Sequence, residues 1–185
     1  MSKPVADVGF APIATPAARV LILGSLPGVE SLQRREYYAS RSNAFWSVMG
    51  VLVGAAPDLP YERRCRCLAE AGIAVWDVCH SAKRPGSLDG SIDHPSVVPN
   101  DFTAFFSAHP HIQAIGFNGN KAADLYRRKV LAGLPPAFAS VQCVTLLSTS
   151  SAYAHVRPDE KVSRWRSALA PWIGGQIIRH SASFL

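Results

Sequence analysis

The chain has 185 residues, 48% hydrophobic and 17% charged, which suits one domain with a buried core and excludes wholesale disorder. No apolar run approaches the ~18–20 residues that a bilayer-spanning helix needs, and Pro4, Asp7, Pro12 and Pro16 interrupt the stretch where a secretory leader would lie. The net charge of +6 is compatible with a polyanionic partner, although the basic clusters Arg34-Arg35, Arg63-Arg64-Arg66, Arg127-Arg128-Lys129 and Arg157 to Arg166 read first as solvated helix faces.

In chain order, the first regular element is the apolar run Arg19 to Gly24, a buried strand that passes straight into Gly24-Ser-Leu-Pro-Gly28. Phe45, Val48, Met49 and Leu52 then recur at i, i+3, i+4 and i+7, the pattern of an amphipathic helix. Tyr61, Cys65, Leu68 and Gly72 give a second helical stripe with Gly72 as its stop. Ile73 to Val78 reads as the second strand, bringing Asp77 to its end before a long loop from Cys79 to Pro99. Asn100 is placed to cap a helix from Asp101 to about Ala108, ended before Pro110. The third strand, Ile112 to Asn118, leads into Asn118-Gly119-Asn120 and a helix from Lys121 to Ala132 closed by Gly133. The fourth, Val141 to Leu147, runs into Ser148-Thr149-Ser150-Ser151. Pro158-Asp159-Glu160 opens the last helix, which carries Val162, Trp165 and Leu169 inward.

Strands alternating with helices predict an α/β fold, a three-layer αβα sandwich with a central, mainly parallel four-stranded sheet. No repeat or linker divides the chain, so residues 1–185 are expected to form a single domain, with 1–18 as an N-terminal arm and 174–185 as a tail. The expected setting is a cytoplasmic monomer. Cys65 and Cys67 lie two apart on a helix and point away from each other, and no paired Cys/His spacing occurs. Reduced, mostly buried thiols are therefore expected, with no metal and no cofactor. In such folds ligands bind beyond the carboxyl ends of the strands. Here four polar strand ends, at Gly24, Asp77, Asn118 and Ser148, converge on one cleft.

These stretches, taken together, resemble a known family. Gly24-Ser-Leu-Pro-Gly-Val-Glu-Ser-Leu32, Tyr37-Tyr38, Asn43-Ala-Phe-Trp46, Trp76-Asp77-Val78 with Arg84-Pro-Gly-Ser-Leu-Asp89, Phe117-Asn118-Gly119 and Ser148-Thr-Ser-Ser151 occur in this order. The set is similar to the uracil-DNA glycosylase superfamily, closest to its hypoxanthine (deoxyinosine) glycosylase branch, over roughly residues 9 to 170. The last motif departs from the branch pattern, where Pro and Asn are usual at the positions of Ser151 and Tyr153.

The resemblance implies a monofunctional enzyme of base-excision repair that hydrolyses the N-glycosidic bond of a deaminated base in DNA, hypoxanthine first. The partner it implies is DNA containing such a base, which must be flipped out of the duplex to be reached. It implies that Asn43 positions the attacking water; read from the sequence alone, Asn43 is equally a cap for the helix that follows. Phe45 is the candidate stacking platform for the flipped base, or else core, and Tyr38 another wall. Asp77 is the candidate reader of a ring N–H, or else a loop-fixing carboxylate. Asn118 contacts the base or braces the pocket, and Ser25 joins the base-binding set. Gly24, Pro27 and Gly28, with Ser148, Thr149, Ser150 and Ser151, are expected along the DNA backbone, where donors position the strand without reading sequence. His155 is placed with them, where the last loop would enter the duplex.

Two readings of other classes compete. A serine hydrolase would use Ser25 with Asp77 and one of His80, His94 or His155, though the strained G-x-S-x-G elbow is missing. A DNA-binding module without catalysis would keep the surface and lose the chemistry; the retained Asn43 argues against it.

Overall fold

The computed structural model describes residues 6–173. In chain order the regular elements begin with β1 (Asp7–Val8), β2 (Val20–Gly24), α1 (Val29–Arg34), α2 (Phe45–Val53), α3 (Tyr61–Glu70), β3 (Ile73–Asp77) and β4 (Cys79–Ala82). They continue with β5 (Val98–Pro99), α4 (Phe102–Ala108), β6 (Ala114–Asn118), α5 (Asn120–Lys129), α6 (Pro136–Ala139), β7 (Gln142–Leu146) and α7 (Pro158–Ile173). β3, β2, β6 and β7 lie side by side in that order, all parallel. The arm adds one antiparallel bridge to the outer edge of β3, where Ile13 and Val75 exchange backbone bonds of 2.9 and 2.8 Å.

Every residue of β2 and β3 is buried, as continuous apolar runs inside a parallel sheet require. β7 differs: it was expected to be buried, but Gln142, Cys143 and Thr145 are exposed. As an edge strand it pairs on one side only, with β6. The thiols follow the same correction, since Cys79 is buried, Cys65 and Cys67 are half-buried and Cys143 is exposed.

Trp76, Leu23 and Phe117 stand in register on one sheet face. Against that face α4 packs Phe102 and Phe105 at centroid distances of 5.2 and 5.0 Å from Trp76, and α5 packs Tyr126 against Phe117 at 5.2 Å. α2 and α7 form the other layer. Phe45 meets Trp165 edge-on at 6.1 Å, and the Trp165 indole N–H donates to the Leu147 carbonyl at 2.8 Å. The three-layer sandwich is therefore the observed fold.

Three local readings need correction. The stretch from Cys79 to Pro99 is more than a loop: β4 and β5 form a small antiparallel sheet with β1, separated by 3-10 turns at Asp89–Ser91 and His94–Ser96. Alternation is too short there to register as strand. Asn100 does not cap α4; Asp101 does, accepting from the Ala104 amide at 2.9 Å, while the Asn100 amide donates to the Asp77 carbonyl at 2.8 Å. α1 has no expected counterpart, and its short span leaves too few positions for a readable stripe. No helix among the described residues is long and apolar enough to cross a membrane. The expected tail, 174–185, lies outside the described residues.

Trp165 fills the core between α2, α7 and the end of β7 while satisfying its own N–H. Trp165→Ala should lower unfolding free energy by ~3–5 kcal/mol, read as a fall in the urea midpoint with little change in slope.

Candidate active site

The four strand ends do meet. Gly24, Asp77, Asn118 and Ser148 line one cleft of about 870 Å³, walled by Tyr38 and Asn43 on one side and by Leu88 and Asp89 on another. Its floor is set by strand register. β2 pairs with β3 so that Gly24 stands opposite Asp77, and a Cβ on Gly24 would sit 2.3 Å from Asp77 Oδ1 and 3.2 Å from the Tyr38 hydroxyl. Only glycine leaves room for the carboxyl to lie across the neighbouring strand.

Asp77 is 5% exposed, and its Oδ2 has no hydrogen-bond partner among the described residues. Burial first, and the neighbouring Asp89 second, push its pKa up from 3.8 to about 8, against a smaller opposing pull from Arg84. The free protein at neutral pH therefore holds Asp77 as a carboxylic acid. The sequence reading took it as a carboxylate that only accepts.

The aromatic wall is also rearranged. Phe45 is fully buried, covered by Tyr38, whose ring stacks on it at 3.9 Å and 19°. Tyr38 lines the cleft and Phe45 backs it. The Phe45 stripe position carries core and platform alike, and sequence could not say which ring lies outermost. Tyr38 has the left-handed backbone φ of 54°, uncommon for a residue with a side chain. Tyr37 fixes it there: its amide donates to the Tyr61 hydroxyl at 2.9 Å and its carbonyl accepts from the Trp46 indole at 2.9 Å. The Tyr38 hydroxyl is buried without a hydrogen-bond partner among the described residues.

Asn43 lines the cleft just before α2, whose N-cap residue is Ala44. The Asn43 Oδ1 accepts from the Phe45 amide at 3.0 Å, which fixes the side chain at the mouth of α2. Asn118 is a brace: its Nδ2 donates to Thr149 Oγ1 at 2.7 Å and its Oδ1 accepts from the Thr149 amide at 2.8 Å. Thr149 is thereby buried and committed, its carbonyl accepting from the Ala44 amide at 2.9 Å. Expected as a phosphate donor, it serves instead to join the last loop to the start of α2. Ser148, Ser150 and Ser151 remain on the cleft wall with Tyr153, which is 39% exposed. His155 is exposed beside Tyr153, at 5.5 Å between rings, and is not among the cleft-lining residues.

The first loop is stapled to the segment after β4, which sequence reasoning left unassigned. The buried Arg84 guanidinium donates to the carbonyls of Leu26, Pro27 and Gly86 and pairs with Asp7 Oδ2 at 3.3 Å. Ser87 Oγ accepts from the Val29 amide at 3.0 Å. Ser25 Oγ donates to Asp89 Oδ1 at 2.5 Å. Pro27 and Gly28 are thus held from behind. A dense run of polar residues between turn formers, Arg84-Pro-Gly-Ser-Leu-Asp89, is the only mark such a staple leaves in sequence.

The hydrolase triad is not assembled. Ser25 bonds to Asp89; His94 Nε2 lies 2.7 Å from Lys121 Nζ, His80 is exposed, and His155 stands outside the cleft. Within the basic clusters, Arg34 pairs with Glu30, Arg127 and Arg128 with Asp124 and Arg164 with Glu160 on their own helices, while Arg64 reaches Glu36 and Arg157 reaches Asp159.

Comparison with known proteins supplies the family. The model of the uracil DNA glycosylase superfamily matches residues 11–169. The chain belongs to that superfamily. Two proteins named hypoxanthine DNA glycosylase, from Methanosarcina acetivorans and Methanosarcina barkeri, are 35% and 32% identical over 117 residues, covering 63% of this chain and 73% of each relative. The solution NMR structure of a Methanosarcina acetivorans protein, described provisionally as a uracil DNA glycosylase, superposes with a TM-score of 0.74 at 29% identity, covering 91% of this chain and 99% of its own. Membership makes the chain a DNA glycosylase.

The raised Asp77 carboxyl has a measurable cost. Unfolded, it ionises at 3.8; folded, at about 8. Between those values folding takes up a proton, so stability falls as pH rises through the window and levels off above it. Asp77→Asn removes this slope. Urea unfolding should find the variant gaining ~1 kcal/mol or more on wild type between about pH 5 and pH 8; parallel pH curves would contradict the buried acid.

Proposed function

We propose that this glycosylase removes hypoxanthine from DNA, acting as a cytoplasmic monomer that hydrolyses the bond between the base and its deoxyribose. The observation that carries the reading is the cleft floor, where Asp77 Oδ2 and the Tyr38 hydroxyl are buried with no hydrogen-bond partner among the described residues. Unpaired buried polar groups are costly, and both residues line the cleft that a flipped base would enter. Hypoxanthine offers matching groups, a ring N–H flanked by a carbonyl. The relatives' name supports the same choice of base.

In this reading the flipped base stacks on Tyr38, with Phe45 as the rigid layer behind it. Asn43 holds the water. Its amide is too weak to act as a base, but the bond can break with the base leaving ahead of attack, and an oriented water then suffices. The Phe45 amide fixes that orientation in advance. Ser148, Ser150, Ser151 and the amides of the Gly24 to Gly28 loop lie along the strand and position it.

Asn43→Ala should lower single-turnover cleavage by more than ~100-fold while DNA binding stays within a few-fold. A near wild-type rate would reduce Asn43 to its contact with the Phe45 amide.

Base choice is read separately. Uracil also carries a ring N–H beside a carbonyl, so the Asp77 contact does not discriminate, and selection falls to cleft size. Deoxyinosine should be cleaved at least ~10-fold faster than deoxyuridine in the same duplex, about 1.4 kcal/mol at the transition state. Faster cleavage of deoxyuridine would make the chain a uracil-removing enzyme of the same fold.

A further inference from the structure

The cleft floor holds two carboxyl groups where base reading needs one. Asp89 lies on the 3-10 turn after β4, and its Oδ1 accepts from Ser25 Oγ. Ser25 directly follows Gly24, the residue in register with Asp77. The two carboxyls are thus held within one residue of each other across the β2–β3 ends, and both line the cleft.

We propose that Asp77 enters the reaction as a carboxylic acid and gives its proton to the departing purine, and that Asp89, clamped by Ser25, is the positioning residue that keeps that proton in place. The inference rests on the hypoxanthine reading above.

The surroundings of Asp77 favour the neutral form, with Arg84 alone among the described residues opposing it. Tyr38 and Tyr37 face it from the segment before α2, Cys79 from β4 and Asp89 from the 3-10 turn; their neutral or negative groups offer no counter-charge. Arg84 is the nearby cation acting on it, but its guanidinium is committed to the carbonyls of Leu26, Pro27 and Gly86 and to Asp7. Lys121 acts on Asp89 and Cys79, and its ammonium contacts His94. Among the described residues no positive group hydrogen-bonds Asp77 Oδ2.

A carboxylic acid also suits the base better than a carboxylate. It accepts from N1–H with its carbonyl oxygen and donates to O6 with its hydroxyl, whereas a carboxylate would set a negative oxygen against O6. As the C1′–N9 bond breaks, its electron pair passes into the purine and negative charge builds on the ring and on O6. The Asp77 O–H bond breaks, its proton goes to O6, and the base leaves as the neutral 6-hydroxy tautomer. The water held by Asn43 adds its oxygen to C1′, and the proton it loses restores the Asp77 acid. The net change is hydrolysis, with nothing oxidised or reduced.

Single-turnover cleavage of a deoxyinosine duplex, followed between about pH 6 and pH 10 for wild type, Asp77→Asn and Asp89→Asn, tests the proposal. Asparagine at position 77 can make the same two contacts with N1–H and O6 but has no proton to give. Its DNA binding should therefore stay within a few-fold while its rate at neutral pH falls by at least ~100-fold. Wild type should lose activity on the alkaline side. In Asp89→Asn, where the neighbouring charge is gone, that limb should move to lower pH; a limb that stays fixed belongs to ionisation of the substrate's own N1–H and overturns the assignment. Should Asp89→Asn not fold, the infrared carboxylic-acid band of wild type minus Asp77→Asn gives the answer directly. The band should be present at neutral pH and vanish as pH rises; its absence overturns the proposal. Cleavage indifferent to Asp77→Asn removes the acid and leaves the glycosylase, whereas no cleavage of any deaminated base at any pH removes both.

Discussion

The site depends on a steric vacancy at one pair of strand ends. β2 and β3 run parallel in a register that sets Gly24 against Asp77, and any side chain on Gly24 would occupy the place of the carboxyl. Because the carboxyl lies over the strand end, it is withdrawn from water, and its proton affinity rises with that withdrawal. The Tyr38 ring closes the other side, and its hydroxyl comes to rest near the same missing Cβ. Geometry, burial and protonation thus follow from one residue having no side chain.

What keeps this arrangement rigid is the buried Arg84. A guanidinium fans its donors in a plane, and here they reach two carbonyls of the first loop, one of its own loop and the Asp7 carboxylate on the arm. Three segments remote in sequence are tied through one cation. Each carbonyl so engaged is held by the guanidinium, which fixes the path of the loop that lines the cleft.

The sheet, most of the helices and the convergence of four polar strand ends were legible, because apolar runs and 3.6-residue stripes are dictated by burial. β7 was misjudged because an apolar run does not state whether its neighbour is another strand or solvent. Asn100 was assigned the cap that Asp101 makes, since both residue types cap and adjacent positions differ only in backbone angle. Within the cleft, residue types named lining positions but not how the side chains stack and bond. Phe45 and Tyr38 exchanged places because stacking order is tertiary, and Thr149 and Asn118 turned out to spend their hydrogen bonds on each other. Asp89 carried too little sequence context to be singled out, because its importance lies in proximity to Asp77 and Ser25, which are distant in the chain.

The Asn118–Thr149 clamp bears on how the last loop could vary. Two hydrogen bonds fix the root of that loop to the end of β6, and a third ties it to Ala44. Beyond Thr149 the tip is exposed through His155 apart from Ser150, so the core places few demands on its residues. Ser151 and Tyr153, where this chain parts from the branch pattern, both lie on that tip. The loop is built as a socket with an exchangeable end: substitution there reshapes the outer wall of the cleft, which Ser151 and Tyr153 line, and leaves the Asn118–Thr149 root in place.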